Sequence, residues 1–266
     1  MPELRPLYEA DLSKVEAVFT DVDGTLTTGG HLRASTLGLI ERLDRAGVPV
    51  VLVTGRPAGF AEAWARTLPV AGVIAENGGV SFRIDGRGAL RKTYARPAGV
   101  RARERKRLVR VVRSALRSVP GARMSTDSRF TEVDLAIDVN EEVRLGPEAA
   151  QRLEEFFARR GINAVRSSVH VNVWIGPFDK AWMVRRFLRT VWKARLLPDD
   201  HRYVYVGDSL NDAPLFAAFA LSVGVANVRA VLELLEHRPR FVTRAPEGAG
   251  FEEVARAVLR ARRAAS

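Results

Sequence analysis

The chain has 266 residues, 47% of them hydrophobic, no cysteine, and a formal charge of +11. That length and apolar share supply one large core or two modest ones, which excludes a disordered or fibrous chain. Absence of cysteine rules out disulfides and thiol catalysis and fits a reducing compartment. No apolar run approaches a membrane span, and the polar stretch Met1 to Lys14 lacks the apolar centre of a signal peptide, so a cytoplasmic location is expected.

From residue 15 to 75, apolar runs alternate with helical periodicity, predicting strand 15–20, helix 33–46, strand 48–53, helix 58–67 and strand 71–75. Such alternation belongs to α/β proteins with a doubly wound, Rossmann-like parallel sheet. The pattern changes near residue 79. Strand patterns at 80–84 and 89–94 flank Asp85-Gly86-Arg87-Gly88, a run with hairpin chemistry. Residues 132–139 and 169–175 alternate as half-exposed antiparallel strands do, and apolar stripes at 101–118 and 147–160 predict helices that cover them. An α+β domain is therefore expected at 79–176, inserted into a discontinuous core of 1–78 and 177–266. After Lys180 the alternating pattern resumes, with strand 202–206, helix 212–218, strand 220–225, a short strand near Phe241 and a terminal helix.

The first strand delivers Asp21 and Asp23 onto a Gly24-Thr25 turn. Residues two apart on a strand point the same way, so both acids can face one reacting centre. A carboxylate there can attack phosphorus and hold a phosphoryl group covalently while its neighbour moves protons. Because a phosphate dianion repels a carboxylate, a hard cation such as Mg²⁺ must sit between them, and further oxygen ligands are needed. Val204-Tyr205-Val206-Gly207-Asp208-Ser209-Leu210-Asn211-Asp212, a second strand ending in an acidic loop, can supply them. Thr54, at the end of Val50-Val51-Leu52-Val53, offers a hydroxyl, Gly55 a backbone N–H, and Lys180 an ammonium to phosphoryl oxygens. Lysine is scarce in this arginine-rich chain, which makes Lys180 at that place informative.

These four stretches, in this order, resemble motifs one to four of the haloacid dehalogenase superfamily of phosphohydrolases, across nearly the whole chain. The resemblance implies Asp21 as nucleophile and Asp23 as general acid and base. It implies phosphoryl binding by Thr54, Gly55, Lys180 and Asn211, and a Mg²⁺ site formed by Asp21, the Asp23 backbone carbonyl and Asp208, completed by Asp212 or Asn211. The insertion between motifs two and three, with Glu76-Asn77-Gly78 just before it, resembles the Cof-like and sugar-phosphatase branch, which carries a large type II cap. The expected activity is Mg²⁺-dependent hydrolysis of a sugar phosphate or a similar small phosphorylated metabolite. A phosphosugar mutase of the same superfamily would keep all four motifs and is the alternative.

Arg56, Asn77, His170 and Asn172 are the candidate substrate contacts. His170 and Asn172 share a strand face with Trp174, while Arg129, Glu132, Asp134 and Asp138 form a second polar set read as the solvent side of the sheet. Residues 91–123 hold twelve basic side chains against one acid, Glu104, a net +11 equal to that of the whole chain. A solvated helix face is the default reading of such a run. Of two functional readings, attraction of an anionic substrate is favoured over a nucleic-acid or polyanion contact, since no aromatic residue lies between 101 and 123 for base stacking. The expected partner is thus a small phosphorylated molecule, with neither nucleic acid nor membrane involved.

Overall fold

A computed structural model describes residues 4–167 and 169–265; the first three residues of the polar N-terminal stretch lie outside them. In chain order the elements are β1 (Arg5–Pro6), β2 (Ala17–Thr20), α1 (Ala34–Arg45), β3 (Val50–Val53), α2 (Ala58–Thr67), β4 (Gly72–Ala75), β5 (Val80–Ile84) and β6 (Leu90–Tyr94). There follow α3 (Ala98–Ser118), β7 (Arg123–Met124), β8 (Leu135–Asp138), α4 (Pro147–Ala158), β9 (Asn163–Arg166) and β10 (His170–Trp174). The chain closes with α5 (Lys180–Phe187), β11 (Tyr203–Gly207), α6 (Ala213–Ala218), β12 (Leu221–Gly224), β13 (Phe241–Val242) and α7 (Glu247–Ala265).

A nine-stranded sheet runs β1-β13-β12-β11-β2-β3-β4-β5-β6, parallel except for β5 and β6 at one edge. Its central strands are continuous apolar runs because both faces are covered. Leu39, Leu43, Ala61, Phe251 and Val258 of α1, α2 and α7 pack on one face, and Met183, Phe187, Leu215 and Phe216 of α5 and α6 on the other. The chain leaves β2 in one direction through β3 and β4, then returns to lay β11 on the opposite side of β2. This reversal makes the carboxyl ends of β2 and β11 the place where such sheets bind ligands.

The second sheet, β7-β8-β10-β9, is wholly antiparallel. Leu135, Ile137, Val171 and Val173 on one face pack against Leu108, Val112 and Ala115 of α3 and Leu153 and Phe157 of α4. Three expectations give way here. The hairpin 80–94 continues the nine-stranded sheet by pairing β5 with β4, so the boundary near 79 falls too early; strand alternation reports which face is buried, not which sheet is joined. Asp134 and Asp138 are buried rather than on a solvent face, because the second side of this sheet covers the carboxyl end of the large one. Finally, Arg103, Lys106, Arg107, Arg110, Arg113 and Arg117 lie on the outer side of α3, separated from the covered end by a helix and a sheet. That is about 20 Å by the usual layer dimensions, beyond the ~8–10 Å screening length, which weighs for a solvated face at these six positions, whereas Arg105 of the same run turns inward to the Asp134 carbonyl.

Candidate active site

Asp21, Thr54, Asp208 and Glu76 each follow directly on a parallel strand, so the sheet brings four loops to one edge. Asp21 is fixed by its backbone N–H, which donates to the Val206 carbonyl of β11 at 2.9 Å. Lys180 opens α5, whose N-cap Asp179 accepts from the Trp182 N–H at 2.6 Å. Gly78 lets the preceding loop lie against this N-terminus: its φ is +96°, and a Cβ there would meet the Asp179 carbonyl oxygen at 2.1 Å.

The buried Lys180 ammonium donates to Asp21 Oδ1 at 2.8 Å, Asp212 Oδ1 at 2.7 Å and Asn211 Oδ1 at 3.2 Å. Asp212 also accepts from the Tyr205 hydroxyl at Oδ1, and from the Asp208 and Ser209 backbone N–H groups at Oδ2, which occupies its lone pairs. Asp208 is less engaged, with one bond on each oxygen, from Thr25 at 2.7 Å and Asn227 at 2.9 Å. Oxygens of Asp21, Asp208 and Asp212 lie within 4.8 Å of one another. Burial pushes the Asp21 carboxyl up to about 7, the Lys180 ammonium opposing the rise and Asp212 adding to it. Asp208 is raised well above the usual carboxylate range by burial and by Asp21 and Asp212, whereas Asp21 and Asp212 hold Lys180 in its charged form despite its burial.

Three carboxylates against one ammonium leave a formal excess of two negative charges in a buried site. Hard oxygen donors with that excess suit a divalent cation that prefers carboxylates and water. Asp21 and Asp208 retain free lone pairs for it, while the hydrogen bonds of Asp212 to Lys180, Tyr205 and two backbone N–H groups compete with a direct metal bond.

The remaining candidates join the same network. Thr54 Oγ1 accepts the Arg56 backbone N–H at 3.0 Å, leaving its own proton to donate. Asn211 reaches Asn77 at 3.4 Å, Asn77 reaches Asp134 at 3.2 Å, and Asn172 donates to both Asp134, at 3.1 Å, and the Gly55 carbonyl, at 3.3 Å. Arg56 grips Asp23 through Nε and Nη2 at 2.9–3.1 Å. Its Nη2 also meets Glu141 Oε1 at 2.9 Å and its Nη1 meets Asp127 Oδ2 at 3.4 Å, and His170 Nε2 lies 2.8 Å from Glu141 Oε2. Trp174 donates its indole N–H to the Phe178 carbonyl and lines the cleft beside Lys180. A cleft of about 720 Å³ opens beside Lys180, Asn211 and Asn77, between β9 and the α5–α6 side, without reaching Asp21 or Asp23.

Sequence reasoning missed Glu76 as an anchor. Fully buried, it accepts backbone N–H groups from Ala58 (2.8 Å), Glu132 (2.8 Å), Val133 (2.5 Å) and Asp134 (2.9 Å), tying the start of α2 to the chain that enters β8. Its φ of +52°, followed by +52° at Asn77, marks a left-handed turn that non-glycine residues adopt at a cost. Asp127, Glu141, Tyr205 and Asn227 also escaped notice. Only Tyr205 left a signal, a polar-tipped residue in an otherwise apolar strand.

A family model described as haloacid dehalogenase-like hydrolase matches residues 18–97. The chain is 34% identical over 214 residues to a phosphoglycolate phosphatase of Halorubrum lacusprofundi, covering 78% of this chain and 82% of that one. To the phosphoglycolate phosphatase of Archaeoglobus fulgidus it is 28% identical over 244 residues, covering 90% and 95%. The fold matches the sucrose-phosphatase of Synechocystis with a TM-score of 0.65 at 14% identity, over 92% of this chain and 98% of that one.

Proposed function

The chain belongs to the haloacid dehalogenase superfamily of phosphohydrolases and is a phosphatase, and from that premise we propose that it hydrolyses a small phosphomonoester through an aspartyl phosphate on Asp21. The carrying observation is Lys180 Nζ at 2.8 Å from Asp21 Oδ1, inside a group of carboxylates with two more negative charges than one ammonium offsets. Asp21 attacks phosphorus in line. Asp23 donates a proton to the departing oxygen, then takes one from the water that cleaves the aspartyl phosphate. The Thr54 hydroxyl, the Gly55 N–H and Lys180 hold the transferring oxygens, so the transition-state charge meets donors that are already oriented.

Asp21 and Asp208, with the Asp23 carbonyl, would hold a Mg²⁺ ion, which when bound supplies the positive charge that lets an anionic nucleophile approach an anionic phosphate. Asp212 serves by fixing Lys180 and the Asp208 loop. The second sheet with α3 and α4, about residues 95–178, acts as the cap, and 1–94 with 179–266 form the core. Substrates are small phosphorylated metabolites, either sugar phosphates or phosphorylated hydroxy acids of the kind that the relatives' names specify.

Phosphate release from a panel of both classes, with and without Mg²⁺ and with Asp21→Asn as the blank, tests the reading. Expected is Mg²⁺-dependent release that the variant lacks; undiminished release by Asp21→Asn removes the proposed nucleophile. Conversion of a sugar phosphate to its isomer, without net phosphate release, would favour a mutase instead.

A further inference from the structure

Arg56 lies directly against Asp23, the residue proposed to meet the leaving group. Its guanidinium meets the Asp23 carboxylate edge-on through two nitrogens at 2.9–3.1 Å, the planar match that arginine makes with carboxylates. The rest of the fork is held by the covering sheet: Nη1 faces Asp127 at 3.4 Å and Nη2 faces Glu141 at 2.9 Å. Those acids are themselves positioned, Asp127 by the Ser125 hydroxyl and Glu141 by His170 and by Asp138, whose Oδ1 accepts the Glu141 backbone N–H at 2.9 Å. The side chain is only 15% exposed. A group that approaches Asp23 from the Arg56 side comes within reach of the guanidinium.

Resting on the reading above, we infer that Arg56 selects the leaving group: its guanidinium exchanges the Asp23 carboxylate for a carboxylate on the substrate's alcohol, favouring short phosphorylated hydroxy acids over neutral phosphomonoesters. Distance sets the length. Asp23 must come within about 3 Å of the bridging oxygen to protonate it, and the guanidinium edge that it vacates starts about 3 Å from its present carboxylate oxygens, which puts oxygen and guanidinium about 6 Å apart. A carboxylate one or two carbons beyond the ester oxygen spans that gap with one hydrogen bond. Chemistry sets the charge. One carboxylate replaces another at the same guanidinium edge, so Arg56 keeps a partner, while Asp23 exchanges its guanidinium partner for a proton from solvent and turns to the bridging oxygen. A neutral leaving group offers Arg56 nothing equivalent and leaves Asp23 in its grip. Asp127 and Glu141 keep the guanidinium in place during the exchange.

The test compares kcat/KM for phosphoglycolate, its carboxamide analogue and glucose 6-phosphate in the wild type, Arg56→Gln and Arg56→Lys, all with Mg²⁺. Thermal unfolding confirms that each variant is folded, and the lysine variant keeps the charge if the glutamine variant does not fold. A wild-type preference for the acid over the amide of about 100-fold or more is expected, as for sites built to pair a substrate's polar group. That ratio should fall at least tenfold in Arg56→Gln and partly in Arg56→Lys. Equal losses on acid and amide would make Arg56 a mere support for Asp23 and overturn the inference, as would a wild type that prefers the amide or the sugar phosphate. Failure of the wild type to release phosphate from any of the three while it hydrolyses other members of the panel would overturn the inference and leave the phosphatase reading standing; no release from the whole panel would refute the aspartyl-phosphate reading itself.

Discussion

Replacing Glu76 by alanine should unfasten the joint between the two sheets. Four backbone N–H groups, from Ala58, Glu132, Val133 and Asp134, converge on this one fully buried carboxyl. A hydrogen bond to such a group contributes about 1.5–3 kcal/mol, and a buried donor left without a partner costs about 1–3 kcal/mol. With water partly refilling the hole, Glu76→Ala should lose about 4–6 kcal/mol, a large share of the ~5–15 kcal/mol that folded domains possess. For a chain of this size that is a fall of about 10–20 °C in Tm. Glutamine cannot substitute: Oε1 serves Ala58 and Glu132 while Oε2 serves Val133 and Asp134, so either amide orientation turns an NH₂ toward two N–H donors. Glu76→Gln should therefore lose about 3 kcal/mol or more. Thermal unfolding measures the total, and hydrogen exchange at residues 58 and 132–134 locates it. A Tm within about 2 °C of wild type for Glu76→Ala, or unchanged protection at those amides, would refute this account.

Three further outcomes are expected. Asp208→Asn should weaken the Mg²⁺ dependence of turnover, whereas Asp212→Asn should leave the metal titration midpoint in place but destabilise the fold by about 3–5 kcal/mol, because it strips a partner from buried Lys180; a shifted midpoint in Asp212→Asn would make that residue a direct ligand. In chelator, the Asp21 carboxyl has a folded-state value raised from 3.8 to about 7, so its contribution is present below pH 3.8 and lost as pH rises through about 7; Tm without metal should fall over that window, and added Mg²⁺ should reduce the fall, with a pH-independent Tm counting against the cluster's burial. The triple change of Arg107, Arg110 and Arg113 to Glu should leave KM within about twofold at ordinary ionic strength, since the patch lies beyond screening distance; a KM rise that salt abolishes would restore a steering role.

The parallel core was legible because strands buried on both faces are written as uninterrupted apolar runs, as in Val50-Val51-Leu52-Val53, and because each run ends on a residue proposed to carry chemistry. The site residues at those ends could be named for the same reason. Partnerships across the chain were not legible. Nothing local says that Asp127 and Glu141 meet Arg56, or that Asn227 meets Asp208. Asp134 misled most: an acid alternating with Val133 and Leu135 reads as a solvent face, and only the covering of one sheet by another makes it buried, next to Asn77 and Asn172. Glu76 hid because its partners are backbone groups, which any sequence would offer.

The pairing of β2 with β11 also bears on how the protein is made. Thr25 and Asp208, hydrogen-bonded at the centre of the site, are 183 residues apart. At about 5–20 residues per second, synthesis takes about 10–40 s to cover that interval. Throughout it, β2 has emerged with its β11-facing edge unpaired, a template for association with other chains. The intervening insertion can fold meanwhile, but closing so long a loop delays the central pairing. The nascent chain thus passes through an aggregation-prone stage, and the two acidic loops meet only after the second has been synthesised.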